Sequence, residues 1–120
     1  MADRDEEREA RIENEAIIDA YGPEEQAMSW WCYLDMKITF PFKSRCIKER
    51  RMSPLKPGEV VKALSMADQN DCMHEMVVMI ELTGRSFGVP LAQLQPLNAD
   101  PATVEAVEDW HYWVGRGYTF

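Results

Sequence analysis

Prolines and glycines divide this chain of 120 residues into short segments, and their positions constrain the fold more than any other feature. The pair Gly22-Pro23 ends one helical segment and can begin another, because proline suits the first position of a helix. The proline of Phe40-Pro41-Phe42 excludes a central strand position but permits the start of a strand. Asp100-Pro101 has the pattern of an N-cap followed by the first helical residue. The sequence therefore predicts helices at both ends of the chain and strands between them.

Apolar residues at helical spacing define three predicted helices. The first runs from Asp3 to Tyr21 and carries polar residues between its apolar positions. The second runs from Pro23 to about Met36 and is rich in aromatic residues, which we expect to be buried because each ring removes a large apolar area from water. The third starts at Pro101 and should end at Gly115.

The middle of the chain shows the alternation and turn residues of short strands. Predicted strands cover Phe42 to Cys46, Glu59 to Leu64, His74 to Leu82 and Arg85 to Leu91, and Thr83-Gly84 is a candidate tight hairpin. We therefore predict one α+β domain over residues 1–120. Helices in residues 1–36 and a helix in 100–115 would pack on a small, strongly bent antiparallel sheet or SH3-like barrel in residues 38–97.

Charge is distributed unevenly along the chain, whose formal net charge is -8. Between Lys37 and Lys62, eight basic residues face two acidic ones, which gives +6 and leaves -8 - 6 = -14 for the remainder. A field of that sign repels phosphate backbones and attracts cations, so we expect no nucleic-acid partner. No apolar run is long enough to span a membrane and the acidic amino terminus is unlike a secretory leader, so we expect a cytoplasmic protein without a membrane partner.

The segment from Asp68 to Glu75 concentrates ligand candidates before an apolar strand. Calcium takes six to eight oxygen ligands in flexible geometry, so the oxygens of Asp68, Asn70, Asp71 and Glu75 could contribute to a calcium site. An EF-hand is excluded by counting from Asp68, because neither the glycine nor the final bidentate glutamate of that loop falls at its required position. Ligands would then have to come from separate parts of the fold. A solvated acidic turn between two strands is the open alternative.

Two other chemistries find weaker support in the sequence. Cys72 and His74 form a C-x-H pair, but the close pairs of cysteines that structural zinc prefers are absent, and the three cysteines are expected to be reduced. No nucleophile elbow, phosphate-binding loop or H-E-x-x-H motif occurs, so no catalytic residues are assigned and the chain is not expected to be an enzyme.

Several strings, taken together and in order, resemble the cyanobacterial calcium-binding protein family of the CcbP type. These strings cover almost all of the chain after the first dozen residues: Gly22-Pro23-Glu24-Glu25-Gln26-Ala27-Met28, Phe40-Pro41-Phe42, Ser53-Pro54-Leu55-Lys56, Asp71-Cys72-Met73-His74-Glu75-Met76, Val89-Pro90-Leu91 and Asp109-Trp110-His111-Tyr112-Trp113. The resemblance implies a small acidic cytoplasmic protein that binds Ca²⁺ without EF-hands and buffers the free ion, with an SH3-like sheet packed against helices.

The resemblance also implies where the ligands lie. The family has an acidic turn before the Cys-x-His-Glu string, and an acidic pair at the end of the second helix, where this chain has Asp35 followed by Met36. We therefore predict a calcium site formed by five residues, with Glu24 and Glu25 as second-tier candidates: Asp35, Asp68, Asn70, Asp71 and Glu75. Because calcium affinity follows ligand charge, the neutral residues Met36, Gln69 and Asn70 predict weak binding or the loss of one site.

A rival interpretation belongs to another class of function. The sheet edge, or the basic segment Lys48-Glu49-Arg50-Arg51, could bind a partner protein without any metal, because small bent sheets serve many functions.

Overall fold

The computed structural model of the chain describes residues 5–120. Its helices are α1 (Glu6–Arg11), α2 (Pro23–Lys37) and α3 (Pro101–Gly115), and its strands are β1 (Phe42–Cys46), β2 (Val60–Met66), β3 (Val77–Leu82), β4 (Arg85–Pro90) and β5 (Leu94–Leu97). The predicted α+β class is confirmed, with helices at both ends of an antiparallel sheet. None of the helices in residues 5–120 has the length and apolar character that a membrane crossing requires.

The first helix is shorter than the sequence predicted. It is capped by Asp5, whose carboxylate accepts a hydrogen bond from the amide of Arg8 at 3.0 Å. After α1 the backbone continues as a π-helical turn over Ile12–Ala16 and then leaves helical geometry. Asp19 has a φ of 55°, a left-handed conformation that a continuing α-helix cannot contain. The first two residues of the predicted helix, Asp3 and Arg4, lie outside the described residues.

The other two helices follow their sequence signals closely. Both begin with proline at the first helical position, and α3 ends at Gly115 as predicted. Asp100 caps α3, since its carboxylate accepts hydrogen bonds from both the amide and the hydroxyl of Thr103. Proline and cap together explain why these boundaries could be predicted from local sequence.

The five strands form one sheet in the order β4-β3-β2-β1-β5, and every neighbouring pair is antiparallel. Thr83 and Gly84 both have positive φ, which confirms the predicted tight hairpin between β3 and β4. The edges of the sheet are β4 and β5, and Pro96 lies in β5, where a missing amide is tolerated. Closure of this sheet into an SH3-like barrel therefore stays a prediction.

A cluster of tryptophans fills the space between α2 and α3. Trp30, Trp110 and Trp113 are at most 5 % exposed, and the rings of Trp30 and Trp110 meet edge to face with centroids 5.0 Å apart. The inward side chains of the sheet, among them Val78 and Ile80, belong to the same core. The burial that the aromatic content of the second helix predicted is confirmed.

A buried carboxylate joins the three helices beside this core. Asp109 of α3 is fully buried and accepts hydrogen bonds from the guanidinium of Arg11 at 2.6 and 3.0 Å and from the hydroxyl of Tyr33 at 2.7 Å. A second guanidinium, that of Arg8, lies 3.4 Å away. Burial, together with the bond to Asp109, raises the pKa of Tyr33 to about 12, so the phenol remains a donor at neutral pH.

Replacing this carboxylate should cost much of the stability of the fold. Asp109→Asn leaves two cationic side chains beside a neutral amide, and breaking a buried ion pair from one side costs about 3 kcal/mol of unfolding free energy. Glu108→Gln is a matched control on the preceding residue, because the side chain of Glu108 is 56 % exposed and lies 3.8 Å from Arg8; an exposed pair is worth about 0.5 kcal/mol. Urea denaturation of both variants tests the expectation, and equal losses would contradict it.

Candidate metal centre

The acidic segment predicted to bind metal forms the connection between β2 and β3. Residues Gln69–Cys72 make a single 3-10 turn, and Asp68 caps this turn by accepting a hydrogen bond from the amide of Asn70 at 2.9 Å. The amide of Asp71 donates to the carbonyl of Asp68 at 2.9 Å. Asp68, Asn70 and Asp71 are therefore held within one turn, and all three are exposed.

Helix α2 is fixed beside the beginning of this loop. The indole N–H of Trp31 donates to the carbonyl oxygen of Ala67, the residue before Asp68, at 2.9 Å. Asp35 follows one helical turn later on the same face of α2 as Trp31, and its side chain is exposed. The fold thus brings the helix that carries Asp35 to the loop that carries the other predicted ligands.

Glu75 has a cationic partner that the sequence did not indicate. Both of its carboxylate oxygens accept from one guanidinium nitrogen of Arg50, at 2.9 and 3.0 Å. Arg50 belongs to the loop between β1 and β2, so this ion pair connects two loops that are 25 residues apart in sequence. The side chains of Arg50 and Glu75 are each about one-third exposed.

The predicted ligands do not form a completed cage. Within residues 5–120, no group of three or more His, Cys, Asp or Glu side chains is placed to hold a metal ion. Three of the predicted ligands share one turn, Asp35 lies on the neighbouring helix, and Glu75 is paired with Arg50. The site composed of these residues stays a prediction.

The second-tier candidates Glu24 and Glu25 lie at the other end of α2. At 1.5 Å per residue, about 16 Å of helix separates Glu24 from Asp35, too far for both to reach one ion. Glu25 instead accepts a hydrogen bond from the amide of Tyr21 at 3.0 Å. Glu24 and Asp35 are therefore not expected to share one ion, and the second-tier suggestion stays a prediction.

Comparison with known proteins gives this arrangement a context. A family model described as "Calcium binding" and named for CcbP matches residues 10–114. The chain belongs to the CcbP calcium-binding family. The crystal structure of Anabaena CcbP is 38% identical, aligns over 99% of this chain and 98% of that one, and superposes with a TM-score of 0.88. A structure described as a calcium binding protein in the calcium-binding form is also 38% identical, with a TM-score of 0.88 and complete coverage of both chains. No curated protein matches the chain.

The donor set of the CcbP-family loop suits a hard cation better than zinc. Carboxylate and amide oxygens dominate it, and these are calcium ligands. Cys72 is only 1 % exposed, and its sulfur accepts a hydrogen bond from the amide of Val77 at 3.3 Å. Burial raises the pKa of the Cys72 thiol, which favours the protonated form, whereas zinc binds the thiolate. Cys72 therefore serves to shape the end of the loop.

Asp109 and His111 of α3 have structural roles, and the sequence favoured such a role for His111, as a packed or hydrogen-bonded residue. Asp109 binds the guanidinium of Arg11, and a ring nitrogen of His111 lies 2.6 Å from the carbonyl oxygen of Leu94. The carbonyl requires a donor, so this nitrogen of His111 carries the proton. Burial lowers the pKa of His111 from its ordinary value of 6.5.

The lowered pKa of His111 predicts how stability depends on pH. The unfolded chain binds a proton at this residue more readily than the folded chain does, so protonation favours unfolding. The contribution of neutral His111 is complete above about pH 6.5 and is lost as the pH falls from there through the folded-state pKa. His111→Gln should flatten this part of the profile, because the amide can still donate to Leu94 but does not titrate. Denaturation between about pH 7.5 and 5.5 gives the unfolding free energy of the wild-type protein and of the variant. If this free energy has the same slope against pH in both proteins, the assignment to His111 is wrong.

Proposed function

We propose that this protein binds Ca²⁺ and buffers or sequesters the free ion in the cytoplasm. The observation that carries the proposal is the likeness to a calcium-binding form of a relative, which is 38% identical and aligned over 100% of both chains. A likeness of that extent spans the loop, the helix beside it and the sheet that supports both. Binding, and not catalysis, is therefore the function that we propose.

The proposed ligands are the oxygens around the 3-10 turn. Asp68 and Asp71 are exposed and form no ion pair within residues 5–120, and Asn70 adds a neutral oxygen beside them. Their negative charges repel one another without a cation, and a divalent ion relieves that repulsion. Asp35 would approach from α2 to add a fourth oxygen donor. The loop joins two strands, whereas an EF-hand loop joins two helices, so the proposed site is of another type.

Glu75 would be a calcium ligand whose availability depends on its ion pair with Arg50. The guanidinium occupies both carboxylate oxygens of Glu75. A calcium ion that uses Glu75 must take one or both oxygens from Arg50, so part of its binding energy is offset by the broken ion pair. Arg50 thereby weakens binding and favours release, which suits a buffer.

Calorimetric titration of chelator-treated protein with Ca²⁺ tests the proposed site. We expect binding heat for the wild-type protein and its loss, or at least a tenfold weaker Kd, in Asp71→Asn, because affinity depends on the number of charged ligands. Asp19→Asn is the matched control, since it makes the same chemical change at an exposed residue whose φ of 55° asparagine tolerates well. Equal affinity in both variants would remove Asp71 from the site.

The same site should couple calcium to stability. Calcium at 100 times its Kd should raise the unfolding free energy by about 2.7 kcal/mol, because the ion binds only the folded chain. Thermal melts in chelator and in millimolar calcium measure the effect. An unchanged melting temperature would show that the site is absent or very weak.

Competition between Arg50 and calcium predicts the effect of removing the guanidinium. An ion pair exposed to this extent is worth up to about 1 kcal/mol, so Arg50→Gln should tighten calcium binding by up to about fivefold. Arg51→Gln removes the neighbouring exposed charge. It is the control for the effect that any loss of positive charge near the site has on calcium affinity. If both variants change the Kd equally, Glu75 is not held from the ion by Arg50.

A metal-free interaction module is the second candidate function. The observation that favours it is that residues 5–120 hold no completed group of metal-binding side chains. Titrations with magnesium and zinc beside calcium separate the two functions. Binding heat from calcium supports the proposed calcium site. The absence of binding heat from all three ions would favour the interaction module that binds a protein partner.

A further inference from the structure

A groove lies across β1, β2 and the end of β3. Along β1 and β2 the buried residues alternate with exposed ones, so Lys43 and Lys62 point outward. The groove has a volume of about 440 Å³, and it is lined by both lysines, by apolar residues that include Val60 and Leu82, and by Glu81. Val60 is 43 % exposed, which is unusual for a valine in a strand of a small sheet. We call Lys43, Val60, Lys62 and Leu82 the basic groove.

The charges of the basic groove are unfavourably arranged in a single copy of the chain. Lys43 and Lys62 are direct cross-strand partners, and like charges in that position repel. Arg45 extends the positive surface along β1, while Glu81, the partner of Lys62 on β3, supplies one opposing charge. Within residues 5–120, no ion pair is formed by these lysines or by Arg45. An acidic group that entered the groove would relieve the repulsion.

The turn between the π-helical segment and α2 has the complementary character. Tyr21 and Ile18 are 86 % and 55 % exposed, among the most exposed large apolar side chains of the described chain. Asp19 lies between them, and Glu24 follows in the first turn of α2. Ile18, Asp19 and Glu24 border one further surface depression. We call Ile18, Asp19, Tyr21 and Glu24 the acidic knob.

We propose that the acidic knob of one copy docks into the basic groove of a second copy of this chain. Tyr21 and Ile18 supply the apolar side chains that the walls of the groove can cover, and tyrosine is among the residues that dominate binding energy at interfaces. Asp19 and Glu24 supply the negative charge that Lys43 and Lys62 lack. The net charge of -8 opposes association only weakly at physiological salt, where charges more than about 8 Å apart are screened, so the local complementarity prevails.

Knob and groove are different surfaces of the same molecule, and this fixes the form of the assembly. The knob lies at the amino-terminal end of α2, and the groove lies across β1, β2 and the end of β3. One such contact between two copies leaves one free knob and one free groove on the pair, so further copies can add and either close a ring or extend an open chain. The protein should therefore pass beyond a dimer as its concentration rises.

Two complementary variants test this arrangement by sedimentation velocity. Lys43→Glu with Lys62→Glu removes the groove and leaves the knob, and Ile18→Ser with Tyr21→Ser removes the knob and leaves the groove. Each should remain monomeric, with association weakened at least tenfold, while an equal mixture should form a one-to-one dimer that grows no further. Raising the salt from about 0.05 M to about 0.5 M should dissociate it, because such charge pairs are screened.

Lys48→Glu with Arg51→Glu is the matched control, because it changes the net charge by the same amount at exposed residues outside the groove. It should associate as the wild-type protein does. The proposal is overturned if the wild-type protein is monomeric at every concentration, if the control loses association equally, or if the mixture of variants stays monomeric. Circular dichroism melts verify that all variants are folded.

Discussion

The position of each helix depends on the carboxylate of Asp109. It is fully buried on α3, and it binds Arg11 from α1 and Tyr33 from α2, so one side chain joins all three helices. A charge without partners in that place would cost several kcal/mol, which makes the correct approach of both other helices a condition for folding. The bond to Asp109 also raises the pKa of Arg11. The hydroxyl of Tyr112 adds a second attachment for α1 by accepting from the amide of Asp5 and donating to Glu9.

The proposed calcium loop depends on that arrangement through α2. Asp109 binds Tyr33 on one side of the helix, while Trp31 on another side donates to Ala67 at the start of the acidic loop. Trp30, between them in sequence, enters the tryptophan cluster. Helix α2 is thus fixed on three sides, and the position of Asp35 relative to Asp68 follows from contacts that contain no metal ligand. A loop supported in this way can let its exposed carboxylates adjust to an ion without disturbing the core.

Local signals allowed much of the fold to be predicted from sequence. Pro23, Pro101 and the cap at Asp100 act within one helical turn, so the boundaries of α2 and α3 followed from neighbouring residues. The hairpin at Thr83-Gly84 is equally local. The helix predicted to reach Tyr21 ended at Ala16 instead, after a π-helical turn that apolar spacing does not predict. The ion pair between Arg50 and Glu75 also escaped prediction, because the two residues are distant in sequence and come close only after β1, β2 and β3 have paired.

The uneven charge of the sequence persists in the folded molecule and connects the two proposed activities. Of the eight basic residues between Lys37 and Lys62, only Lys37 and Arg50 form ion pairs within residues 5–120, with Glu105 and Glu75. The remaining positive charges stay available on β1, on β2 and in the loop between them, while the carboxylates of Asp68 and Asp71 and those of the knob stay available elsewhere. Pairing all of these charges within one copy would have removed both the attraction for a divalent ion and the complementarity between copies. Since exposed ion pairs contribute little to folding, leaving them unpaired costs the fold little and preserves the charges for ligands.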